Sequence, residues 1–596
     1  MFKGHPKGLY VAFFANMGER FGFYTMMACL VFFLQAKFGL TADEAGGHYS
    51  NFYFAIYALA LVGGILADKT KKYKAVIFVG ILIMLGGYIL MATPGLNLTI
   101  TLVALYIIAL GNGLFKGNLQ AIVGQLYDDP KYDKLRDSAF SIFYMGINMG
   151  ALVAPHAANG IRNWLLGTKG YTYDADLPAL CHQLLDNTIT NTATLQELAN
   201  KVTGTEVANL SSFAIDYLQV FSTGYNYAFG VAAFSMVISL LVYVFFQKML
   251  PNGSQSKEAL EEKENATVQA PSNPMHLVIS LAIGAAIALG IYFVKDLYSG
   301  LAIGLFAGFV SWISLSSTKE EKPKVTSLLL VFGVVIFFWM SFHQNGLTLS
   351  FFARDYTAKS VGAFTYLFFD FWGMIAVLGT IISISTFLGK DASKKTKTIS
   401  GIVALVAISA AIFRYTNVPK SNPIEPEIFQ SFNPIFIVVL TPLILGLFAW
   451  LRSRKMEPST PKKIGIGMIL AAVGFMIMVW GSLSLISPAD LGGAPSPDRA
   501  SPYWLINTYL VLTFAELFLS PMGISFVSKV SPRRFQGIMQ GGWLLATAVG
   551  NKLLFVGSFM WDKIEIWQIW SIFIICCVIS ATFIFSIMKR LEKATD

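Results

Sequence analysis

The stretch LYVAFFANMGERFGFYTMMACLVFFLQA at residues 9–36 decides how the rest of the sequence is interpreted. Crossing a bilayer takes roughly 20 apolar residues, and this run is long enough. Its only charges are Glu19 and Arg20. An ionised side chain at bilayer depth costs at least ~2.5 kcal/mol, so it usually faces a protein interior or a water-filled path. Because Lys116 and Glu516 are isolated charges in two other apolar runs, we predict one polar cavity inside a helical bundle.

The composition indicates a polytopic membrane protein. The chain has 596 residues, of which 55% are hydrophobic and 13% are charged, whereas soluble domains carry about 25% charged residues. The net charge of +10 does not indicate a nucleic-acid partner, because the basic residues cluster in short loops that set membrane topology. Of the four cysteines only Cys181 lies in a polar loop, so no disulfide framework is expected. The first apolar run is span-length, so no cleavable signal peptide is expected.

The apolar runs predict an all-α fold with about sixteen membrane spans. They lie at residues 9–35, 48–67, 75–94, 98–126, 138–160, 226–247, 275–294, 297–316, 326–350, 363–388, 399–416, 434–452, 464–486, 503–528, 536–557 and 567–588. If the spans alternate, the basic loops at 68–74, 390–397, 452–463 and 532–534 fall on one side. The positive-inside rule makes that side cytoplasmic. We therefore expect a bacterial-type inner-membrane protein with both termini in the cytoplasm.

Two long polar segments interrupt the spans. Residues 161–225 are predicted to be an outward loop that is long enough to form a small ordered cap. Residues 249–274 are rich in Glu, Lys, Ser and Pro and are predicted to be a flexible inward linker.

Short motifs follow one another along these spans. They are NMGERFGFY (16–24), GGILAD (63–68), GNGLFKGN (111–118), FYMGINMG (143–150), NP (433–434), Glu516 with SPMG (520–523), and QGGW (540–543). In this order they resemble the motifs of the proton-dependent oligopeptide transporter family, a branch of the major facilitator superfamily. One such motif is weak evidence, but the ordered set from residue 10 to 550 is specific.

The resemblance implies two six-helix bundles around a cavity that opens alternately to the two sides. The N-terminal bundle would span residues 1–247 and the C-terminal bundle residues 326–596, with a linker at 248–325 that carries two additional transmembrane helices. The pair at 363–416 falls between the seventh and eighth helices and is absent from the family pattern, so its role is open.

The resemblance also assigns roles to the buried charges. Arg20 and Tyr24 are four residues apart and share a helix face, which in the family lines the peptide site. Arg20 would bind a peptide carboxylate through its guanidinium fork, or instead form a structural ion pair with Glu19. Lys116 would pair with Glu516 across the bundles, or with Glu19, and help to sense a peptide terminus.

Further positions match the family's peptide-binding residues: Tyr57, Asn148, Gln344, Asn433 and Trp543. Amide side chains can hydrogen-bond to the backbone of a bound peptide without contacting the peptide's own side chains, which suits a transporter that accepts peptides of many sequences. The alternative is that the amides hold helices together, as is common in membranes, and that the tryptophan only packs.

The chain departs from the family pattern at several positions. Asn16 replaces the first glutamate, Phe23 the first tyrosine, and Met27 an arginine, while His343 stands where the seventh helix has a glutamate. That arginine and that glutamate pair on the outer side in the family, and here both are missing. Because losing both partners leaves no orphan charge, we expect the outer gate to close by packing and neutral hydrogen bonds.

The remaining titratable groups predict the proton site. Glu19 and Glu516 are retained, and a histidine such as His343 titrates near neutrality when unperturbed. We predict that these three carry the proton step. The alternative is that His343 stays neutral and donates one hydrogen bond. Asp370 and Arg414, near the outer ends of the inserted helices, are expected to form a structural ion pair.

The leading functional prediction is a proton-coupled symporter of di- and tripeptides that needs no cofactor other than the coupling proton. The sequence contains no nucleotide-binding loop, catalytic triad or metal-ligand cluster, so an enzyme is not expected. One alternative is a transporter of another small solute, either an anion or a drug-like molecule. A different class is a membrane scaffold or sensor that docks a partner protein through the additional helices or the outer loop.

Overall fold

The computed structural model describes residues 4–129, 131–189, 191–251, 273–389 and 392–595. Within these residues, 16 helices are long and apolar enough to cross a membrane. The all-α polytopic prediction is therefore confirmed. Most of the predicted flexible linker (252–272), and the first two residues of the basic loop at 390–397, lie outside the described residues.

The first half of the chain forms one bundle and a small cap. Its helices are α1 (Gly8–Phe38), α2 (Ala42–Thr70), α3 (Tyr73–Ala92), α4 (Leu98–Gln125), α5 (Arg136–Thr168), α6 (Leu177–Leu185), α7 (Thr192–Thr203) and α8 (Leu210–Phe246). Helices α1 to α5 and α8 pack together as the N-terminal bundle. The short amphipathic helices α6 and α7 form the cap, so the predicted outward segment is ordered.

The second half contains two additional hairpins besides its bundle. In chain order the helices are α9 (Pro274–Val294), α10 (Leu297–Ser316), α11 (Lys322–Phe342), α12 (Thr348–Asp355), α13 (Ala363–Tyr366), α14 (Phe371–Leu388), α15 (Lys394–Asn417), α16 (Phe432–Ser453), α17 (Thr460–Ser482), α18 (Pro488–Leu491), α19 (Pro502–Val530), α20 (Gln536–Lys552), α21 (Phe555–Met560), α22 (Ile566–Ser586) and α23 (Met588–Thr595). Short 3-10 turns occur at Asp133–Leu135, Gln247–Met249, His343–Gly346, Pro426–Ser431 and Arg533–Phe535. Helices α11, α16, α17, α19, α20 and α22 form the C-terminal bundle.

Local sequence explains several helix ends. α2 begins with a capping box, in which Thr41 accepts from the Glu44 backbone N–H (3.3 Å) and the Glu44 carboxylate accepts from the Thr41 N–H (3.0 Å). α1 ends at Gly39, whose φ of +65° places it in the left-handed region that glycine adopts without strain. Such side-chain and glycine caps satisfy backbone groups that a helix end leaves unpaired.

Helix α5 is longer than the hydropathy predicted. It continues to Thr168, and α8 already begins at Leu210, so the segment between them is 169–209 rather than 161–225. The extra turns carry Arg162 and Asn163, which hydrogen-bond to Glu425 in the segment before α16. These tertiary partners explain why polar residues stay helical and buried there.

The inserted hairpin α14–α15 is attached through a two-stranded ribbon. Strand β1 (Ser360–Val361) pairs antiparallel with β2 (Asn422–Pro423), which brings the two ends of the insertion together. The chain can therefore pass from α12 to α16 with little change to the bundle. The expected Asp370–Arg414 ion pair is present, with Arg414 Nε and Nη2 donating at 3.0 and 2.7 Å.

The two bundles meet closely on the face that carries α6 and α7, which we name the cap face; the opposite side, where α1 begins and α22 ends, is the terminal face. A Cβ added to Gly46 on α2 would lie 2.0 Å from Ser558 Oγ on α21. Lys552 at the end of α20 donates to Asn51 Oδ1 of α2 at 2.6 Å and pairs with Asp296 of the α9–α10 turn at 3.3 Å. The structure is thus closed at the cap face.

Candidate functional site

Glu19 and Arg20 lie midway along α1, inside the N-terminal bundle. Arg20 donates through Nε and Nη2 to the two Glu19 carboxylate oxygens, both at 2.5 Å. Asn112 of α4 donates to Glu19 Oε1 at 2.6 Å, and the guanidinium lies 4.7 Å from the centre of the Phe23 ring. Both charged side chains are almost completely buried. The alternative ion pair between these neighbours is therefore the arrangement in this conformation.

Lys116 projects from α4 beside α2. Its Nζ lies 4.5 Å from the centre of the Tyr57 ring, and the residue is half-buried. Among the residues that the structure describes, Lys116 has no ion pair with Glu516 or Glu19. The predicted pairing is therefore wrong for this conformation, because Arg20 and an amide already satisfy Glu19 while Glu516 binds elsewhere.

Glu516 belongs to α19 and faces α16. Its Oε2 accepts a hydrogen bond from Asn433 Nδ2 at 2.9 Å, and the same amide donates to Thr513 Oγ1 at 3.1 Å. Asn433, predicted to contact peptide, is therefore engaged with the acid in this state. Glu516 is half-buried, so the carboxylate retains contact with solvent.

These groups converge between the bundles. Tyr24 and Tyr57 on the N-terminal side are both close enough to interact electrostatically with Arg20 and with Glu516 of the C-terminal side. Lys116 interacts in the same way with Arg20. Tyr24, Tyr57, Lys116 and Glu516 all keep part of their surface accessible, and a single polar cleft lined by them stays a prediction.

The other predicted contact residues differ in their surroundings. Asn148 is half-buried and donates only to the Tyr144 carbonyl of its own helix, at 3.2 Å. Trp543 packs tightly over Gly523, where a Cβ would lie 1.8 Å from the indole ring. Gln344 is fully buried and bonds only within the C-terminal half, donating to the Leu554 carbonyl at 3.2 Å. In this conformation Gln344 does not face the cleft.

His343 lies at the cap end of α11, at the boundary between the bundles. Its ring stacks 4.8 Å from Trp339 and 4.7 Å from Tyr53 of α2. Nδ1 donates to Asn551 Oδ1 at 2.5 Å, and the residue is buried. No carboxylate contacts the ring among the described residues. These contacts favour the alternative in which His343 is a neutral hydrogen-bond donor.

Sequence reasoning missed a buried ionic cluster beneath the cap. Arg162 of α5 donates to Glu425 Oε2 at 2.9 Å and to Glu427, and all three residues join the N-terminal to the C-terminal half. The cap face is therefore closed by ion pairs as well as by packing and neutral hydrogen bonds. A possible signal was the charge of Arg162 within a helical pattern, but its position beyond residue 160 assigned it to a loop.

The cap is tied to the C-terminal half by further ion pairs. Lys359, next to β1, pairs with Asp174 at 3.2 Å and with Asp176, and Arg499 pairs with Asp176 at 3.0 Å. Burial alone would raise the pKa of Asp174, but the neighbouring lysines Lys359 and Lys201 and a backbone N–H lower it. The carboxylate form of Asp174 therefore helps to hold the cap against the other bundle.

Possible metal ligands and the four cysteines are the remaining reactive side chains in the described parts of the chain. No group of three or more His, Cys, Asp or Glu side chains there has the geometry of a metal site. Cys29, Cys181, Cys576 and Cys577 form no disulfide.

The fold and the cleft define a multi-pass membrane transporter of the major facilitator type. Solved structures share this fold: one of a "peptide transporter POT in complex with sulfate" has a TM-score of 0.65 at 22% identity, covering 100% of this chain and 96% of that chain. One of a "POT family transporter in complex with thioalcohol conjugated peptide" has a TM-score of 0.65 at 20% identity, covering 99% and 98%. The POT family profile (PTR2) matches residues 73–185, 192–389 and 415–567, and the chain belongs to this family.

Curated relatives match along nearly the whole chain. "Uncharacterized transporter YclF" of Bacillus subtilis (strain 168) is 25% identical over 581 residues, which are 94% of this chain and 89% of that protein. "Peptide transporter YePEPT" of Yersinia enterocolitica is 26% identical, covering 92% and 87%. The "Di-/tripeptide transporter" of Lactococcus lactis is 26% identical, covering 93% and 89%. The match therefore includes both bundles.

Proposed function

We propose that this protein is a proton-coupled symporter of di- and tripeptides. The observation that carries the proposal is that Tyr24 and Tyr57 of one bundle lie within electrostatic range of both Arg20 and Glu516, and Lys116 within range of Arg20. Charges of both signs in one cleft suit a zwitterionic peptide, whose two termini need opposite partners. Relatives that are named as di-/tripeptide transporters support the same substrate class.

The contacts suggest separate roles for the cleft residues. Among the described residues Lys116 forms no salt bridge, and its Nζ lies over the Tyr57 ring, so it is available to bind the peptide carboxylate. Arg20 reaches the peptide only if it shares or exchanges its bonds to Glu19. Asn148, Asn433 and Trp543 then contact the peptide backbone once Asn433 leaves Glu516. Gln344 contributes by supporting the bend after α11.

The proton step is assigned to Glu516 and Glu19. Glu516 accepts a hydrogen bond from Asn433 and is only half-buried, whereas Glu19 is buried and binds Arg20 and Asn112, so Glu516 is the more accessible of the two acids. Its protonation would remove a negative charge from the cleft and allow Asn433 to turn to the peptide. His343 is then a residue of the closed cap face rather than a proton carrier.

The basic loops suggest the orientation of the protein in the membrane, and the two-bundle fold suggests its transport cycle. The basic loops lie at the terminal face, so we place this face in the cytoplasm of a bacterial-type inner membrane and the cap face outside. The two bundles rock around the central cleft and expose it to each side in turn. In the present conformation, which is closed at the cap face, the cleft opens to the cytoplasmic side.

Uptake by proteoliposomes tests the proposal. A labelled dipeptide should accumulate when the lumen is alkaline, and other di- and tripeptides should compete. Lys116→Gln should weaken binding by about 10- to 150-fold, since a charge-assisted hydrogen bond contributes ~1.5–3 kcal/mol. Glu516→Gln should abolish accumulation but retain exchange of peptide across the membrane. Asp370→Asn, in the inserted hairpin, is the matched control and should transport normally.

The negative outcomes distinguish the alternatives. If dipeptides neither accumulate nor compete, but an anion or drug-like solute from a panel is taken up, the substrate class is wrong and the carrier role stands. If no solute is transported and a partner protein copurifies through the cap or the inserted hairpin, the scaffold or sensor function replaces transport.

A further inference from the structure

One buried cluster, formed by Arg162, Glu425 and Glu427, has no role in the transport scheme above. Arg162 Nη2 donates to Glu425 Oε2 at 2.9 Å, and Nη1 donates to Glu427 Oε1. The side chains of Arg162 and Glu427 have no exposed surface, and that of Glu425 is 18% exposed. Arg162 belongs to the N-terminal bundle and the two acids to the segment before α16, so separating the bundles at the cap face breaks the cluster.

The charges of this cluster do not balance. One guanidinium faces two carboxylates, so the cluster carries a net negative charge if both acids are ionised. Burying an uncompensated charge is costly, and two carboxylates that share a site favour protonation of one of them. A single proton would make Arg162, Glu425 and Glu427 electrically neutral.

The hydrogen bonds indicate where this proton can sit. Glu427 Oε1 accepts from Arg162 and from the Tyr225 hydroxyl at 2.8 Å. Its Oε2 has only the Asn159 amide nitrogen, at 3.4 Å, and Asn159 Oδ1 is buried without a partner among the described residues. Amide nitrogen and oxygen are assigned by their network. Turning this amide by half a rotation lets Oδ1 accept a hydrogen bond from a protonated Glu427 Oε2.

Other ionisable and polar groups surround the cluster on every side. They are Cys29 on α1, Asn159 and Asn163 on α5, Tyr173 in the segment before α6, Tyr225 on α8, and Tyr366 on α13. Burial raises the pKa of Glu425, Arg162 lowers it, and the neighbouring Glu427 carboxylate raises it, with a raised pKa as the result.

A cavity connects this cluster to the cap. It has a volume of about 280 Å³ and lies between the cap end of α1 and helix α6. Tyr173 and Tyr225, which line it, also contact the guanidinium: the Tyr173 ring centre is 3.9 Å from Arg162 Cζ, and the Tyr225 hydroxyl accepts from Nη1 at 3.1 Å. Water in this cavity would bring protons from the cap side to the Tyr225 hydroxyl.

We propose that Arg162, Glu425 and Glu427 form the outer gate of the carrier and that closing this gate binds one proton between the two carboxyl groups. The name outer gate rests on the proposed transport function and orientation. When the bundles separate at the cap face, both acids enter water and release the proton. Because the closed state binds one proton more than the open state, acid favours closure, by up to about tenfold per pH unit.

Distance measurements between two spin labels test this inference without transport. Asp43 and Lys563 face each other across the cap face, with Nζ and Oδ2 3.7 Å apart and both side chains partly exposed. Labels on Asp43→Cys and Lys563→Cys, in a Cys576→Ser background, should report the short, closed distance. In the detergent-solubilised full chain, the population with the closed distance should rise as the pH is lowered from about 8 to about 5. Asp370→Asn should follow the parent protein.

Charge variants give opposite expectations. Glu427→Gln and Glu425→Gln each balance Arg162 one to one, so the gate should stay closed at every pH. The double variant leaves Arg162 without a carboxylate and should open the gate. Asn159→Leu keeps both ion pairs but removes the Oδ1 atom that accepts a hydrogen bond from protonated Glu427, so it should shift the midpoint of the pH-dependent closure to lower pH. It also serves as a mild variant if the others fold poorly.

The results that would overturn the inference are distinct from a failure of transport. A closed population that does not change with pH in the parent protein refutes the proton site. A double Gln variant as closed as the parent refutes the gate, and an unchanged midpoint in Asn159→Leu refutes Glu427 Oε2 as the proton position. Absence of dipeptide uptake alongside the expected distances would count only against the proposed substrate.

Discussion

Closure of the cap face depends on a very short contact at Gly46, which a single methyl group should disrupt. A Cβ at this position would lie 2.0 Å from Ser558 Oγ and 2.3 Å from Ser558 Cβ. Both distances are far below van der Waals contact, and both atoms belong to the opposite bundle. Gly46→Ala therefore strains the closed state but leaves the open state unaffected.

The magnitude follows from known costs of overpacking. Inserting a methyl group into a packed interface costs ~1–3 kcal/mol, which corresponds to about a 5- to 150-fold shift from closed to open. Gly47→Ala is the matched control because a Cβ there meets no atom within 4 Å. Both glycines lie in α2, so the gain in helix propensity, ~0.5–1 kcal/mol, cancels between the two variants.

Spin-label distances between positions 43 and 563 and dipeptide uptake are the two measurements. Gly46→Ala should populate the long distance and lower the uptake rate, whereas Gly47→Ala should match the parent. Adding Ser558→Gly removes both clashing atoms, so it should restore the closed population, a coupling that a double-mutant cycle measures. Equal closed populations in Gly46→Ala and Gly47→Ala would refute the reasoning.

Further expectations concern the cap and the buried polar groups. His343→Gln should keep proton-driven accumulation in proteoliposomes, since the amide can donate the bond that Nδ1 donates; lost coupling with intact binding would return the proton step to the histidine. Burial raises the pKa of Asp174, but Lys359, a backbone N–H and Lys201 together lower it below its ordinary value. The carboxylate therefore stabilises the cap above about pH 4 and loses this effect at lower pH. Protease sensitivity of the cap checks this, and it should not change with pH in Asp174→Asn. Asn112→Leu removes a donor from buried Glu19 and should lower the free energy of unfolding by ~1–3 kcal/mol; an unchanged thermal midpoint would contradict it.

Most of the architecture was predictable because burial in lipid is a local property of the sequence. Each span must satisfy its own backbone hydrogen bonds and present an apolar surface, so hydropathy located all 16 candidate helices. The additional hairpin turn at Lys295 and Asp296 was also located this way. Asp370 and Arg414 pair as expected because a short antiparallel hairpin leaves few alternatives.

The partners of the central charges were less predictable. Among the described residues Lys116 and Glu516 are not paired, and Arg20 binds the adjacent Glu19. The partner of a long charged side chain depends on the conformation of the two bundles. A sequence motif is the same in every conformation of the transport cycle, so it does not determine which pairing is present in one of them. The hydrogen-bond partners of Gln344 were not predictable for the same reason, since its bonds to the Leu554 carbonyl and Thr348 depend on the bend after α11.

By itself the sequence determined the membrane setting, the number of spans, the family and the set of charges that must share water, because apolar length and isolated charge are properties of single segments. Only the tertiary structure decided how the cap face closes. Arg162 and Glu427 are separated by 265 positions in the chain, and no local pattern links them. Their pairing arises because the 3-10 turn Pro426–Ser431, which follows the ribbon, packs against α5, and a buried charge is stable only where the fold provides a partner.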